Sequence, residues 1–177
     1  MKKLFLFSLI CFVLCFVSNA HAQMDEDYGF TRVNLEGGHS FRLPDSYIHS
    51  TAEYFRHFLQ QGWACYENQR YGVIAVFVAK KLPESQEEAN LKESGLEYLM
   101  EHSLGSMVPG SRIQLSRIIT MNGRDVLFAR GNDSYGNAMI MYLLICDGYM
   151  YGSAYYTQPS NFNTMYGQFL EIQNSFK

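Results

Sequence analysis

The sequence is poor in charged residues, in cysteine and in proline, and each shortage excludes a class of protein. Asp, Glu, Lys and Arg make up only 18% of the 177 residues, beside 47% hydrophobic residues, which excludes a disordered chain and a coiled coil. Four cysteines are too few for a disulfide-dense mini-scaffold, and four prolines with 14 glycines are too few for a collagen-like fibre. What remains is the composition of an ordinary globular domain, rich in Tyr and Phe.

The sequence also lacks the short motifs that carry chemistry in common enzyme and metal sites. It contains no Gly-x-Ser-x-Gly, Ser-x-x-Lys, His-Glu-x-x-His or Cys-x-x-Cys, and neither a Walker loop nor Gly-x-Gly-x-x-Gly. Paired carboxylates of the glycosidase type are defined in space, so the sequence leaves them open. We therefore predict a non-enzymatic protein with no catalytic residue and no cofactor. The alternative is a secreted hydrolase whose site converges only in three dimensions.

Residues 1–22 are predicted to form an export signal. Lys2-Lys3 gives a positive start, Leu4–Val17 is an unbroken run of apolar and small residues, and Ala20-His21-Ala22 places small residues where signal peptidase needs them. The apolar run is shorter than the roughly 20 residues of a membrane-spanning helix. We expect cleavage after Ala22 and a periplasmic or secreted protein, with residues 23–177 forming a single domain without a membrane span.

Loss of the export signal makes the chain more acidic. Removing Lys2 and Lys3, with no acid, lowers the formal net charge from −3 to −5. An acidic domain without a cluster of Lys and Arg lacks the electrostatic surface that nucleic acid or anionic lipid requires. The expected partner is therefore an envelope protein or a small ligand, and not a nucleic acid.

Two cysteines, Cys65 and Cys146, lie outside the export signal. In an oxidising compartment an even pair suggests a disulfide. The other interpretation is two separate buried thiols, since Cys is among the most buried residue types. Sequence spacing does not report the Cα separation that bridging requires, so both interpretations stay open.

Short strands and one helix are expected in the first half of the domain. The strands are predicted at Phe30–Leu35, Ser40–Leu43, Trp63–Glu67 and Gly72–Lys80. The run Val73–Val78 is apolar on both faces, which indicates a strand that is covered on both faces. Residues 46–62 suit either an amphipathic helix over His49–Gln61 or an extended segment. Ser85 and Glu88 form a capping box that begins a helix running to about Leu104.

The second half predicts a four-stranded antiparallel meander and a terminal helix. Its strands are expected at Arg112–Met121, Arg124–Arg130, Ala138–Cys146 and Tyr149–Thr157. Asn122-Gly123 and Asp147-Gly148 are the strongest hairpin signals in the chain, because both turn positions need φ > 0. After Pro159-Ser160, apolar residues continue at helical spacing as far as Phe176. The whole pattern predicts an α+β domain, an antiparallel sheet of about six or seven strands with two main helices packed on it.

The order of these elements resembles the PsbP-like superfamily, which includes PsbP of photosystem II and the DcrB-type exported proteins of bacteria. The resemblance rests on the strand and turn Phe41–Tyr47, the mid-chain helix, the hairpin Ile118–Phe128 and the terminal Phe169–Phe176. Tyr47 stands where the family often has Trp, and the lipoprotein cysteine of exported relatives is missing. The resemblance implies a non-enzymatic binding or assembly-support domain, with a metal ion in some plant members. It assigns no functional residue here.

Four histidines follow the export signal, and two of them form, with one glutamate, the best metal-ligand pattern in the chain. His49, Glu53 and His57 stand at i, i+4 and i+8, whereas His39 and His102 are isolated. On a helix the two outer histidines would lie about 12 Å apart, too far for one ion with ligands near 2 Å. We therefore predict a solvated helix face and no metal site.

A row of tyrosines is the remaining candidate for function. Tyr149, Tyr151 and Tyr155 alternate onto one face of a predicted strand. If that face is open, the rings form an amphipathic platform for a glycan or a protein partner. The other interpretation is that the rings fill the core beneath the terminal helix.

Overall fold

The computed structural model describes residues 29–50, 56–60, 62–82, 95–102, 104–107 and 110–177. Their strands are β1 (Phe30–Asn34), β2 (Ser40–Pro44), β3 (Ile48–His49), β4 (Ala64–Asn68), β5 (Val73–Lys81), β6 (Arg112–Met121), β7 (Arg124–Asn132), β8 (Ala138–Cys146) and β9 (Tyr149–Thr157). Their helices are α1 (Arg56–Gln60), α2 (Leu104–Met107) and α3 (Phe162–Asn174), with residues 95–102 also helical and a 3₁₀ turn at Glu36–Gly38.

Seven of these strands form one antiparallel sheet. Their order is β3-β4-β5-β9-β8-β7-β6, and β1 pairs with β2 in a separate two-stranded ribbon. The predicted meander β6 to β9 is confirmed, and so is the α+β class. The long pairing of β5 with β9, which joins the two halves of the chain at the centre of the sheet, could not be foreseen from local patterns.

Both predicted hairpin turns have the backbone geometry that their sequences indicate. Asn122 and Gly123 have φ of 51° and 74°, and Asp147 and Gly148 have φ of 53° and 76°. Positive φ at both central residues matches the right-handed twist of the flanking strands. These turns set the registers of β6 with β7 and of β8 with β9, in which Met121 faces Arg124 and Cys146 faces Tyr149.

The sheet is the middle layer of the domain, with a hydrophobic core on each face. The first core lies between the sheet, helix α3 and the β1–β2 ribbon, and it contains Phe41, Phe77, Tyr142, Tyr151, Tyr155, Phe169 and Phe176. The second lies under the helical residues 95–102 and 104–107 and contains Trp63, Cys65, Val76, Leu96, Leu99, Leu104 and Leu143. Alternate residues of β5 enter the two cores, which confirms the expectation of a strand covered on both faces.

The ambiguous stretch 46–62 contains both of the expected structures. Ile48 and His49 form the edge strand β3 beside β4, while Arg56–Gln60 is helical and is followed by Gly62 with φ of 79°. The start of the predicted helix at Ser85 and Glu88 lies outside the described residues. Its later part is helical, and Leu96, Leu99 and Leu104 are buried as its apolar stripe requires.

One buried hydrogen bond joins the terminal helix to the centre of the sheet. The Ser153 hydroxyl of β9 donates to Oε1 of Gln173 on α3 at 2.7 Å, and both side chains are buried. Replacing Gln173 with Leu leaves the hydroxyl without this acceptor, so we expect the free energy of unfolding to fall by about 1–3 kcal/mol. The double variant Ser153→Ala/Gln173→Leu should recover most of that loss, because both polar groups are removed together.

Urea unfolding of the two single variants and the double variant measures this coupling. Gln158→Leu, at an exposed position between β9 and α3, is the matched control and should change stability little. A loss of stability in the double variant equal to or greater than the sum of the two single losses would contradict the assignment.

Candidate functional site

The predicted tyrosine face belongs to the core. Tyr151 and Tyr155 are both 0% exposed, and Tyr155 stacks on Phe169 of α3 with ring centroids 4.8 Å apart. Only Tyr149, at the start of the strand, is partly exposed. The open platform is therefore a wrong expectation for Tyr151 and Tyr155, because the alternation of β9 points them toward α3 and the β1–β2 ribbon.

Burial changes the ionisation of these rings. It raises the pKa of Tyr151 to about 12, with further increases from the negative charges of Cys146, Tyr149, Asp147 and Glu36, and it raises the pKa of Tyr155 well above its usual value. Both phenols stay protonated at neutral pH. Tyr151 thus presents a neutral hydroxyl, and that oxygen is buried without a hydrogen-bond partner among the described residues.

The two cysteines do not form the disulfide that one interpretation expected. Cys65 lies in the second core and Cys146 packs against the first, and both are free thiols. Strands β4 and β8 are separated by β5 and β9, which places them about 14 Å apart at 4.8 Å per strand. A disulfide requires Cα atoms within about 7 Å, so the interpretation as separate thiols is the correct one. Burial raises the pKa of Cys65 to about 11.

His49 does not belong to the helix that would have aligned it with Glu53 and His57. His49 lies on β3, opposite Tyr66 of β4, and therefore shares no helix face with His57. Glu53 and the side chain of His57 lie outside the described residues. His102 is exposed and stacks on Tyr98, one helical turn earlier.

The side chains of His39, Cys146 and Asp147 lie close together at one end of the sheet. Nε2 of His39 lies 2.9 Å from Oδ2 of Asp147 and 3.8 Å from Sγ of Cys146. One donor atom from each residue lies within 4.8 Å of the other two. We name this group the His39–Cys146–Asp147 cluster. It offers a nitrogen, a sulfur and an oxygen, the donor types that bind zinc and related transition metals.

Two tight turns bring the cluster together. Gly37 and Gly38 have φ of 83° and 85°, and the Leu35 amide donates to the carbonyl of His39 at 2.8 Å, which closes the turn in front of β2. Gly37 also has to be glycine for reasons of space, since a Cβ there would collide with the Tyr151 hydroxyl. The β8–β9 turn carries Asp147 directly after Cys146, so one strand end supplies two of the three side chains.

Aromatic packing orients the His39 ring. Phe176 stacks on one of its faces, with centroids 4.9 Å apart and planes at 6°, and Tyr151 meets it edge-on at 4.9 Å. The backbone of the next residue is also held, because Ser40 and Lys177 exchange two amide-to-carbonyl hydrogen bonds of 3.0 and 3.1 Å. The C-terminal segment after α3 thus positions the histidine that reaches Asp147.

The cluster has an inner and an outer side. The side chain of His39 is 14% exposed, whereas that of Asp147 is 73% exposed. Burial, together with the negative charge of Asp147, raises the pKa of Cys146, while the positive charge of Arg124 lowers it. Since the net change is upward, Cys146 is a neutral thiol at neutral pH unless a cation binds beside it.

The sequence could not reveal this cluster. His39 is 108 residues from Asp147, and neither residue belongs to a spaced ligand motif. The sequence accounts for Asp147 as a residue of the hairpin turn, and for Cys146 as a disulfide partner or a buried thiol. The sequence offers only an indirect signal, namely the two turns themselves: Gly37-Gly38 before β2 and Asp147-Gly148 between β8 and β9.

Comparison with solved structures identifies the fold. A solution structure of cyanobacterial PsbP from Synechocystis sp. PCC 6803 matches with a TM-score of 0.56 at 11% identity, covering 84% of this chain and 91% of that one. The chain has a PsbP-like fold. The predicted resemblance is thus confirmed at the level of the fold.

Two further structures are similar over comparable lengths. A Pseudomonas aeruginosa protein of unknown function matches with a TM-score of 0.43 at 10% identity, covering 82% of this chain and 94% of its own. Mycobacterium tuberculosis LpqN, described as involved in cell envelope biogenesis, matches with a TM-score of 0.49 at 11% identity, covering 87% and 92%. No protein-family model and no curated protein sequence matches the chain.

The described residues also bear on membrane insertion. None of the helices among them is both long enough and apolar enough to cross a bilayer.

Proposed function

We propose that the protein is exported and acts without catalysis, as a binding or assembly-support protein of the cell envelope. The observation that carries the proposal is an export-type signal at residues 1–22 ahead of a PsbP-like fold. The family resemblance implies a binding or assembly role for such a domain. An envelope location also suits the acidic charge, which disfavours nucleic acid as a partner.

The fold indicates where a partner would bind. The central strands of the seven-stranded sheet are covered on both faces, so binding is expected at strand edges and loops instead of on a sheet face. Three exposed apolar side chains lie in such places: Ile48 on the edge strand β3 is 50% exposed, Leu115 on the edge strand β6 is 45% exposed, and Tyr135 in the β7–β8 loop is 74% exposed. Asp133 accepts hydrogen bonds from the amides of Tyr135 and Asn137, at 2.9 and 2.8 Å, which fixes this loop.

Processing of the N-terminus is the direct test of export. We expect the full chain, expressed with a C-terminal tag in a bacterial host, to accumulate in the periplasm or medium with Gln23 as its first residue. Intact mass and N-terminal sequencing of the fractionated protein measure this. The matched variant Ala22→Arg places a large charged residue at the −1 position, so it should keep the leader and remain with the membrane fraction.

Two results would reject the proposal. Unprocessed wild-type chain in the cytoplasm would reject export. Turnover of an ester, glycan or peptide panel, with loss of turnover on mutating a particular acid or histidine, would reject the non-catalytic role and favour the hydrolase alternative.

A further inference from the structure

We infer that the His39–Cys146–Asp147 cluster is a binding site for a divalent transition-metal ion, and that Zn²⁺ suits its donors best. The inference rests on three side chains and their surroundings. It does not depend on the proposed function, since the site would bind metal whichever partner the protein has and wherever the protein is located.

The distances among the donors already approach those of a metal site. Bonds of about 2.0–2.3 Å at tetrahedral angles place ligand atoms roughly 3.3–3.8 Å apart. The separation of His39 Nε2 from Cys146 Sγ is 3.8 Å and that from Asp147 Oδ2 is 2.9 Å, with all three atoms within 4.8 Å of one another. The two His39 separations need to change by about 0.5 Å or less, and that between Cys146 and Asp147 by no more than about 1.3 Å, to make room for one ion. Asp147 is at an exposed turn where its side chain can move.

The donor types select the metal. An imidazole nitrogen, a thiolate and a carboxylate are the common ligands of Zn²⁺, whereas Mg²⁺ and Ca²⁺ take oxygen ligands. Binding breaks the bond between the Cys146 sulfur and its proton, releases that proton to solvent, and forms the metal–sulfur bond. The thiolate and carboxylate then balance the two positive charges of the ion.

The environment supports a site that exchanges ligands with solvent. Phe176 stacks on the ring of His39 and Tyr151 meets that ring edge-on, so its Nε2 is oriented before any ion arrives. Asp147 leaves one side open to water, which can supply the fourth ligand. The hydroxyl of Tyr151 is buried and has no hydrogen-bond partner among the described residues, and the Tyr151 ring contacts that of His39.

Calorimetric titration of the purified, reduced protein with Zn²⁺ tests the inference. We expect one ion per chain, and an affinity at least about tenfold lower in His39→Ala, Cys146→Ser and Asp147→Asn, since even an outer partner of a metal ligand costs 10–100-fold. Co²⁺ should replace Zn²⁺ and give a thiolate charge-transfer band that disappears in Cys146→Ser.

Control variants distinguish the loss of a metal-binding side chain from the loss of the folded structure. Asp147→Asn keeps an Asn-Gly turn, which favours the same hairpin, so its thermal unfolding without metal should stay close to wild type. His49→Ala and Asp125→Asn remove an exposed histidine and an exposed acid elsewhere, and should leave the affinity unchanged. Failure to bind Zn²⁺, or binding that neither Cys146→Ser nor Asp147→Asn weakens, would overturn the inference.

Discussion

Replacing Tyr155 with Ser is expected to lower the free energy of unfolding by about 3–5 kcal/mol, the range for large aromatic truncations in a core. Its ring is 0% exposed, stacks on Phe169, and meets Phe77 and Tyr142 edge-on at 6.1 and 6.3 Å. The substitution leaves a cavity between α3 and the sheet, and it removes contacts to three rings at once.

Tyr149→Ser is the matched control on the same strand. Tyr149 is partly exposed and stacks only on Tyr151 among the described rings, at 5.9 Å, so we expect a loss of about 1 kcal/mol or less. Urea unfolding of both variants decides between the two interpretations of the tyrosine row. Equal, small losses at both positions, with binding of an added glycan abolished in each, would restore the exposed platform and contradict the core assignment.

The tyrosine row shows how far strand periodicity can be used. The pattern correctly placed Tyr149, Tyr151 and Tyr155 on one face of a strand, because side-chain alternation is a local property. Which layer covers that face is a long-range property. It depends on α3 packing back onto β9 and on the β1–β2 ribbon, and no local pattern reports either contact.

For the same reason, local sequence patterns predict the individual strands and hairpins but not the order of the strands in the sheet. Asn122-Gly123 and Asp147-Gly148 specify their hairpins with residues that are adjacent in sequence, so β6 to β9 could be predicted with almost their observed bounds. The pairing of Val76 with Ala154 joins residues that are distant in the chain. It arises because both strands are apolar on both faces and must occupy the centre of the sheet, a condition that several pairings would satisfy.

The His39–Cys146–Asp147 cluster depends entirely on contacts between residues that are distant in sequence. A helix would place His49, Glu53 and His57 on one face, yet His49 lies on a strand. His39 has no neighbouring ligand in sequence and meets Asp147 only through the fold. A search for spaced motifs alone overlooks side chains that only the fold brings together.

Gly131 lies opposite the bulge in β6, and its replacement is expected to have the second large effect on stability. Gln114 is the extra residue of β6, since Ile113 pairs with Gly131 and Leu115 with Arg130. The bulge brings the β6 backbone close to Gly131: a Cβ there would collide with the carbonyl oxygen of Arg112 and lie 2.9 Å from its carbonyl carbon and 3.0 Å from Cα of Ile113. These are backbone atoms of a paired strand, so they can move only if the ladder opens.

We therefore expect Gly131→Ala to lower the free energy of unfolding by about 3 kcal/mol, the upper part of the range for overpacking. Gly152→Ala should cost less, because its Cβ would meet side-chain atoms of Leu143 and Val78, at 2.8 and 3.0 Å, which can rotate away. Gly105→Ala, in α2 with no atom within 4 Å, should be neutral or stabilising.

Urea unfolding ranks the three glycine variants, and amide exchange locates the damage. If the backbone collision is the cause, amides of residues 112–115 exchange faster in Gly131→Ala while those of β8 and β9 keep their protection, because only the outer strand has to move. Loss of protection throughout the sheet would mean that β6 cannot separate locally. A Gly131→Ala variant as stable as Gly105→Ala would show that β6 and β7 do not approach each other this closely in solution.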